Sequence, residues 1–229
     1  MNELSHALIV GAGSGLSASL AKLLSKEGIS VSLAARDTKK LEKLKDNIQA
    51  ETFACDASCP QDVENLFKKL DTIKRVPNFV IFNPSMRAPG PIDEIDCEKA
   101  RKAIQLTCYG AFLVAQQSVK RMKKRGFGTI FFTGATAGVK GFANSSVFAM
   151  GKFGLRGLAQ SLARELHPQN IHIGHFVIDG IIASSIKPDL GDDQKLCPDE
   201  IARRYLEFYR QHRSVWSWEI EIRPWLERF

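Results

Sequence analysis

Short apolar runs and longer amphipathic runs alternate along most of this chain. His6–Val10, Ile29–Ala35, Thr52–Cys55, Phe79–Phe82, Thr129–Thr133 and Ile171–Ile178 are β-branched or apolar and bounded by Gly, Asp or Pro, which predicts strands. Several are apolar throughout, as strands covered on both faces must be. Between them, Gly15–Glu27, Lys39–Ile48, Gln61–Leu70, Cys97–Lys124 and Asn144–Leu166 predict helices. In the first of these Leu16, Leu20, Leu23 and Leu24 fall on one stripe, the period of a helix face packed on a sheet. Pro168 stops the last. Strict β–α alternation predicts an α/β fold: a three-layer, doubly wound parallel sheet with right-handed crossovers.

No internal repeat, low-complexity tract or linker interrupts the pattern, so residues 1–229 read as one domain. Ser184–Asp193, rich in Ser, Lys, Pro, Gly and Asp, predicts a loop. Pro198 then opens a helix over Asp199–His212 at a favoured first-turn position. Val215-Trp-Ser-Trp-Glu-Ile-Glu-Ile-Arg-Pro-Trp alternates apolar and polar residues and predicts one final strand. Residues 181–229 are therefore expected to supply a substrate-side loop, a helix and a C-terminal strand.

Composition narrows the function classes. Apolar residues at 44% and charged residues at 25% exclude disorder, collagen and coiled coil. The net charge of +7 suits an anionic ligand. Nucleic-acid binding would need a basic stripe with interleaved aromatics. The densest basic run, Lys120–Arg125, reads instead as a helix end whose cations complement the dipole, so no nucleic acid is expected. Five cysteines (Cys55, Cys59, Cys97, Cys108, Cys197) at irregular spacing and without CxxC read as reduced thiols of a cytosolic protein. The first strand begins too early to leave room for a signal peptide. No apolar stretch approaches the ~18 residues of a membrane span. A cytoplasmic protein without membrane contact is expected.

Val10-Gly11-Ala12-Gly13-Ser14-Gly15-Leu16-Ser17 joins the first strand to the first helix. A phosphate needs free backbone N–H groups at a helix N-terminus and no side chain blocking close approach. Gly11, Gly13, Ser14, Gly15 and Leu16 stand in that strand–turn–helix context, which favours a dinucleotide over a merely structural turn. The end of the second strand selects between the nicotinamide cofactors. An acid there would accept from the ribose 2′-hydroxyl of NAD(H). This chain has Ala35 followed by Arg36, whose guanidinium suits a 2′-phosphate, with Lys39 and Lys40 adding positive field. NADP(H) is expected over NAD(H).

The spacing Gly11-x-x-x-Gly15-x-Ser17 resembles the short-chain dehydrogenase/reductase superfamily, whose motif is GxxxGxG, with serine in place of the third glycine. The resemblance runs along nearly the whole chain and implies a single NAD(P)-binding Rossmann-type domain. Asp56, with Ala57 beside it, matches the family aspartate that contacts the adenine. Phe82-Asn83-Pro84-Ser85 stands where the family has Asn-Asn-Ala-Gly and keeps Asn83. Asp179-Gly180-Ile181-Ile182-Ala183-Ser184 stands where the family has Pro-Gly followed by a threonine on the nicotinamide amide. That implies cofactor contacts from Gly180, Ile182 and Ser184.

In the resembling family Tyr-x-x-x-Lys carries the chemistry, the tyrosine moving the carbonyl proton and the lysine lowering its pKa and holding the ribose. Residues four apart share a helix face. Here the segment reads Phe148-Ala149-Met150-Gly151-Lys152, so Lys152 is kept and Phe148 has no proton to give. Ala135 stands at the position of the family serine that polarises the carbonyl, and Thr107 at that of the active-site asparagine. The pattern resembles an atypical subgroup with Phe in place of Tyr, and the terminal Trp-Glu-Ile-Glu-Ile-Arg-Pro-Trp is similar to it as well.

Two functions follow. One is an NADP(H)-dependent oxidoreductase acting on a carbonyl or alcohol by an altered proton route. The other is a non-catalytic NADP(H)-binding sensor or subunit. Tyr109, Ser145 and Ser146 lie near the relevant segments, but a tyrosine on a long helix usually serves packing or an interface. His172 and His175 point to opposite faces of a strand and are not a zinc pair. No cluster of carboxylates and histidines reads as a metal site. The family also pairs the helices over 97–124 and 143–166 across a two-fold axis, implying a homodimer or homotetramer. Ala111, Phe112, Ala115 and Val119 form a stripe on the first of them that suits either a core or that interface.

Overall fold

The computed structural model describes residues 5–184, 187–189, 191 and 193–227. Seven strands form one parallel sheet: β1 (His6–Val10), β2 (Ser30–Ala35), β3 (Glu51–Ala54), β4 (Phe79–Phe82), β5 (Gly128–Thr133), β6 (Ile171–Ile178) and β7 (Glu219–Ile222). Their order is β3-β2-β1-β4-β5-β6-β7. Val10 pairs with Ala34 of β2 on one side and Phe82 of β4 on the other. The strand order reverses here, and a doubly wound sheet opens its ligand crevice beyond the strand ends at that point.

Helices cover both faces: α1 (Leu16–Lys26), α2 (Glu42–Ile48), α3 (Pro60–Thr72), α4 (Cys97–Ile104), α5 (Gly110–Arg125), α6 (Ser146–Leu166) and α7 (Pro198–Tyr209). The alternation of side chains along a strand explains the unbroken apolar runs. Ala7 and Ile9 of β1 join Leu20, Leu24, Ile201 and Tyr205 in the core under α1 and α7. Leu8 and Val10 face the other way, into the core with Phe67, Val114 and Leu155 from α3, α5 and α6. Each fully buried Leu, Ile, Val or Phe contributes about 1.5–3 kcal/mol by leaving water.

One expected helix is interrupted. Cys97–Lys124 forms α4, a π-helical turn over Gln105–Tyr109, and then α5. The cause is tertiary. Gly110 lies so close to the Ala57 carbonyl that a Cβ would stand 2.7 Å from its oxygen. The Thr107 hydroxyl accepts from the backbone N–H of Met86 at 3.1 Å. Such single π turns gather at functional sites. Most other boundaries shift by a residue or two, but the last helix ends at Tyr209 rather than His212, and the final strand covers only Glu219–Ile222 of the expected Val215–Trp225. Lys39–Leu41 is a 3₁₀ turn before α2. Lys123, Lys124 and Arg125 occupy the last turn of α5, which Gly126 ends at φ +85°.

The segment expected as the Ser184–Asp193 loop includes residues 185, 186, 190 and 192, which lie outside the described residues. What is described is turn chemistry. Ser184 and Lys187 exchange backbone hydrogen bonds. The Asp189 carboxylate accepts from the N–H groups of Gly191, Asp193 and Lys195. Among the described residues no helix is long and apolar enough to cross a membrane. No group of three potential metal ligands occurs there either.

Candidate active site

Two adjoining cavities open at the strand ends. The smaller, about 270 Å³, is lined by Gly11, Ala12, Arg36, Lys40, Ala57 and Asn83 among others. The larger, about 510 Å³, is lined by Leu16, Arg87, Ala135, Phe148, Lys152 and Ser184 among others. Asn83 and Ser85 border both, so the two form one continuous cleft. A larger groove between α3 and α5 shares no lining residue with either.

The glycine loop is shaped for close approach. Gly11 holds φ +80°, and a Cβ there would meet the Pro84 ring and nitrogen at 2.7 Å. Gly13 and Gly15 face open space. No side chain caps the N-terminus of α1, and no acid occupies its first turn. Its leading N–H groups and positive dipole end are thus left for an anion. These features fit the pyrophosphate of a dinucleotide. Ser17, at the position of the third family glycine, does more than tolerate packing. Its hydroxyl donates to the Gly11 carbonyl at 3.2 Å and accepts from the Asn83 amide at 2.7 Å. The loop is thereby tied to the end of β4, a link that glycine would not supply.

At the end nearer β2, Ala35, Arg36, Lys40 and Ala57 line the smaller cavity. Arg36 is exposed, and no described acid pairs with it. Asp56 does not line this cavity. Its carboxylate is turned back on its own chain, accepting from the Ser58 N–H at 2.9 Å and the Ser58 hydroxyl at 2.7 Å. Gly13 and Ser14 line neither cavity and belong to the turn itself.

The other end holds the positions of the expected chemistry. Lys152 is buried, and its Nζ donates to the Thr133 carbonyl at 2.7 Å. Burial, with repulsion from Arg87 added, lowers its pKa from 10.5 to about 7. Phe148 lies one helical turn earlier, its ring centroid 5.8 Å from Nζ. Ala135 borders the same space on extended backbone. Thr107 is buried outside it, with its hydroxyl engaged by Met86 and its methyl side against Gly151 of α6. The sequence-predicted set is therefore brought together at Lys152, Phe148 and Ala135, while Thr107 stands behind them. Tyr109, Ser145 and Ser146 line neither cavity.

Arg87 was not anticipated. Its guanidinium lies over the Phe148 ring, 4.2 Å from the centroid, and it lines the larger cavity. Such a contact at an exposed site is worth about 0.5–1 kcal/mol. The only sequence signal was a lone arginine four residues after Asn83.

The far wall, residues 180–184, is braced by the end of the chain. Gly180, Ile182 and Ser184 all line the larger cavity. Gly180 holds φ +144°, and a Cβ would meet Pro224 at 2.8 Å. Ala183 donates its N–H to Leu196 at 2.8 Å, and the Ser184 hydroxyl accepts from the Lys187 N–H at 3.1 Å. Behind Lys152, His175 shares Glu219 with Arg156, whose guanidinium is bidentate at 2.7 and 2.8 Å. Burial lowers His175 to about 4 despite that carboxylate. His172 faces the opposite side, stacked on Trp216 and Phe208. The two histidines do not converge, as the strand register requires.

A doubly wound parallel sheet with a glycine-lined cleft at its reversal point is the architecture of dinucleotide-binding α/β proteins. The chain belongs to the short-chain dehydrogenase family, whose model matches residues 5–195. It is similar to a short-chain dehydrogenase from Rhodopseudomonas palustris, with 32% identity, a TM-score of 0.85 and coverage of 97% of this chain and 100% of that one. A metagenomic short-chain oxidoreductase in complex with NADP shares the fold at 23% identity and TM-score 0.85, covering 97% of this chain and 98% of that one. Among curated relatives, 3-oxoacyl-[acyl-carrier-protein] reductase of Bos taurus is 23% identical over 187 residues, 81% of this chain and 78% of that protein.

Proposed function

We propose that this protein is an NADP(H)-dependent oxidoreductase acting on a carbonyl or alcohol by a proton route that does not use a tyrosine. One observation carries the reading: a single cleft runs from Arg36 and Lys40, past the uncapped start of α1, to the buried Lys152. A family member of the same fold was crystallised with NADP, which supports the cofactor. Bound there, NADPH supplies the hydride. The glycine loop would hold the pyrophosphate through backbone N–H groups, and Arg36 the 2′-phosphate. Lys152 stands where the family lysine grips the ribose. Phe148 offers no proton, so the proton would come from solvent reaching the open cleft. Hydride transfer survives the loss of one general acid, which typically contributes about 10²–10⁴ in rate.

A second reading, an NADP(H)-binding sensor or subunit without turnover, is favoured by Phe148 and Ala135 alone, since neither bears a donor. NADPH consumption by purified protein over a panel of aldehydes, ketones and quinones separates the two. Oxidation of NADPH that requires a carbonyl supports the enzyme. NADPH binding with no consumption on any member of the panel supports the sensor.

We also propose a symmetric homo-oligomer. Phe112, Val119, Leu158 and Leu162 border an apolar groove of about 270 Å³ between α5 and α6. Tyr109, Phe112, Met150 and Phe153 leave 43–59% of their surface exposed on the same two helices and the turn before them. Of the predicted stripe, Ala111 turns into the core, whereas Phe112, Ala115 and Val119 border this groove. Light scattering should give a multiple of 25.5 kDa. A 25.5 kDa species at micromolar concentration would exclude the assembly. A cytoplasmic location fits the five cysteines, all of them free.

A further inference from the structure

We propose that the substrate is an anionic carbonyl compound, an oxo acid, whose carboxylate is held by Arg87. This rests on reading the larger cavity as the substrate end of an oxidoreductase.

The cavity is electropositive by construction. Its described lining includes Arg87, Lys152 and Lys187 and contains no aspartate or glutamate. Most of the remaining lining is glycine, alanine or apolar, including Leu16, Phe148, Ile178 and Ile182. Lys152 is already committed to the Thr133 carbonyl and is fully enclosed. Arg87 differs in each respect. It is exposed to the cavity, and no described acid pairs with it. Among the described residues it packs over the ring of Phe148, 4.2 Å from the centroid.

That contact holds the guanidinium over the ring and consumes none of its N–H donors. A planar fork with free N–H groups is matched to a carboxylate, which it can hold bidentately. Arg87 also lies near enough to Lys152 to repel its proton. An anion seated on Arg87 would relieve that repulsion, whereas a neutral ketone would leave the guanidinium without a counter-charge from the described lining. The family tyrosine position thus becomes, in this chain, the platform for a cation.

The proposal is tested by calorimetric titration of NADPH-loaded protein with straight-chain 2-oxo and 3-oxo acids and with their methyl esters. The acids are expected to bind about 10- to 150-fold tighter than the esters, as one hydrogen-bonded charge pair provides. Arg87→Ala should erase that ratio. Arg87→Lys should keep part of it, having the charge without the fork. Equal binding of acids and esters to the unmodified protein, or a ratio that survives Arg87→Ala, overturns the proposal. Failure of NADPH to bind would overturn the oxidoreductase reading instead. The same acid and ester titrations on cofactor-free protein then decide the role of Arg87 by the same criteria.

Discussion

Arg223 reaches back from just beyond the last strand to Asp179, its Nη2 3.1 Å from the carboxylate. Asp179 also accepts from the Thr136 hydroxyl and donates its backbone N–H to Ile222 at 2.8 Å. Where the resembling family has proline, this chain has a buried acid, and the end of the chain supplies the matching cation. Pro224 then closes over Gly180. The wall of the larger cavity is therefore held by residues far along the chain from the glycine loop.

Arg223→Ala should be costly, because it takes away the cation beside the buried Asp179 carboxylate and leaves it only the Thr136 hydroxyl among the partners named above. Removing one partner of a buried pair typically destabilises by about 3–5 kcal/mol. Urea unfolding of the variant measures this, and cofactor titration should show weakened binding as residues 180–184 loosen. Unchanged stability and affinity would show that the pair braces nothing.

Lys152 sets a pH dependence of stability. Its pKa is lowered from 10.5 to about 7 in the folded protein. Between those values the unfolded chain binds the proton and the folded protein does not, so stability rises with pH. Below about 7 both states are protonated, and the folded state carries the full cost of a buried ammonium. Lys152→Met removes that cost. In cofactor-free protein its stability advantage should be largest near about pH 6 and shrink towards about pH 9. The buried Cys55 and Tyr205 are present in both proteins and cancel in the difference. An advantage independent of pH would mean that the ammonium is not desolvated.

Restoring the missing donors should restore ordinary carbonyl chemistry. In Ala135→Ser with Phe148→Tyr, the new phenol would lie one helical turn from Lys152 and beneath Arg87. Two nearby cations favour the phenolate and lower its pKa. Reduction of simple ketones, weak or absent in the unmodified protein, should rise by about 10²–10⁴. Brisk reduction by the unmodified protein, undiminished by Lys152→Ala, would contradict this assignment of the site.

The parts of the fold that were legible in sequence are those set by local chemistry. β1 and β4 read as strands because both of their faces are buried, leaving no polar alternation to confuse them. The glycine loop was legible because Gly11 needs a positive φ and Gly15 marks the start of α1. The π turn at Thr107 was not, since Gln105-Leu-Thr-Cys-Tyr109 forms helix readily and the perturbing contacts come from Ala57 and Met86. Asp56 stands where the resemblance implies an adenine contact, yet its carboxylate accepts from Ser58 two residues on. Arg87 was invisible for a related reason: its meaning comes from Phe148, a partner distant in sequence. The role of Ser17 is hidden in the sequence because its partner Asn83 lies 66 residues away.

The NADP(H) assignment is tested most directly by titrating the purified protein with NADPH and NADH side by side, then repeating both with Arg36→Ala. NADPH should bind about 10- to 150-fold tighter than NADH, the worth of a charge-assisted hydrogen bond to the 2′-phosphate. Arg36→Ala should remove that preference while barely changing NADH. Superimposable curves for the two cofactors with the unmodified protein would contradict it.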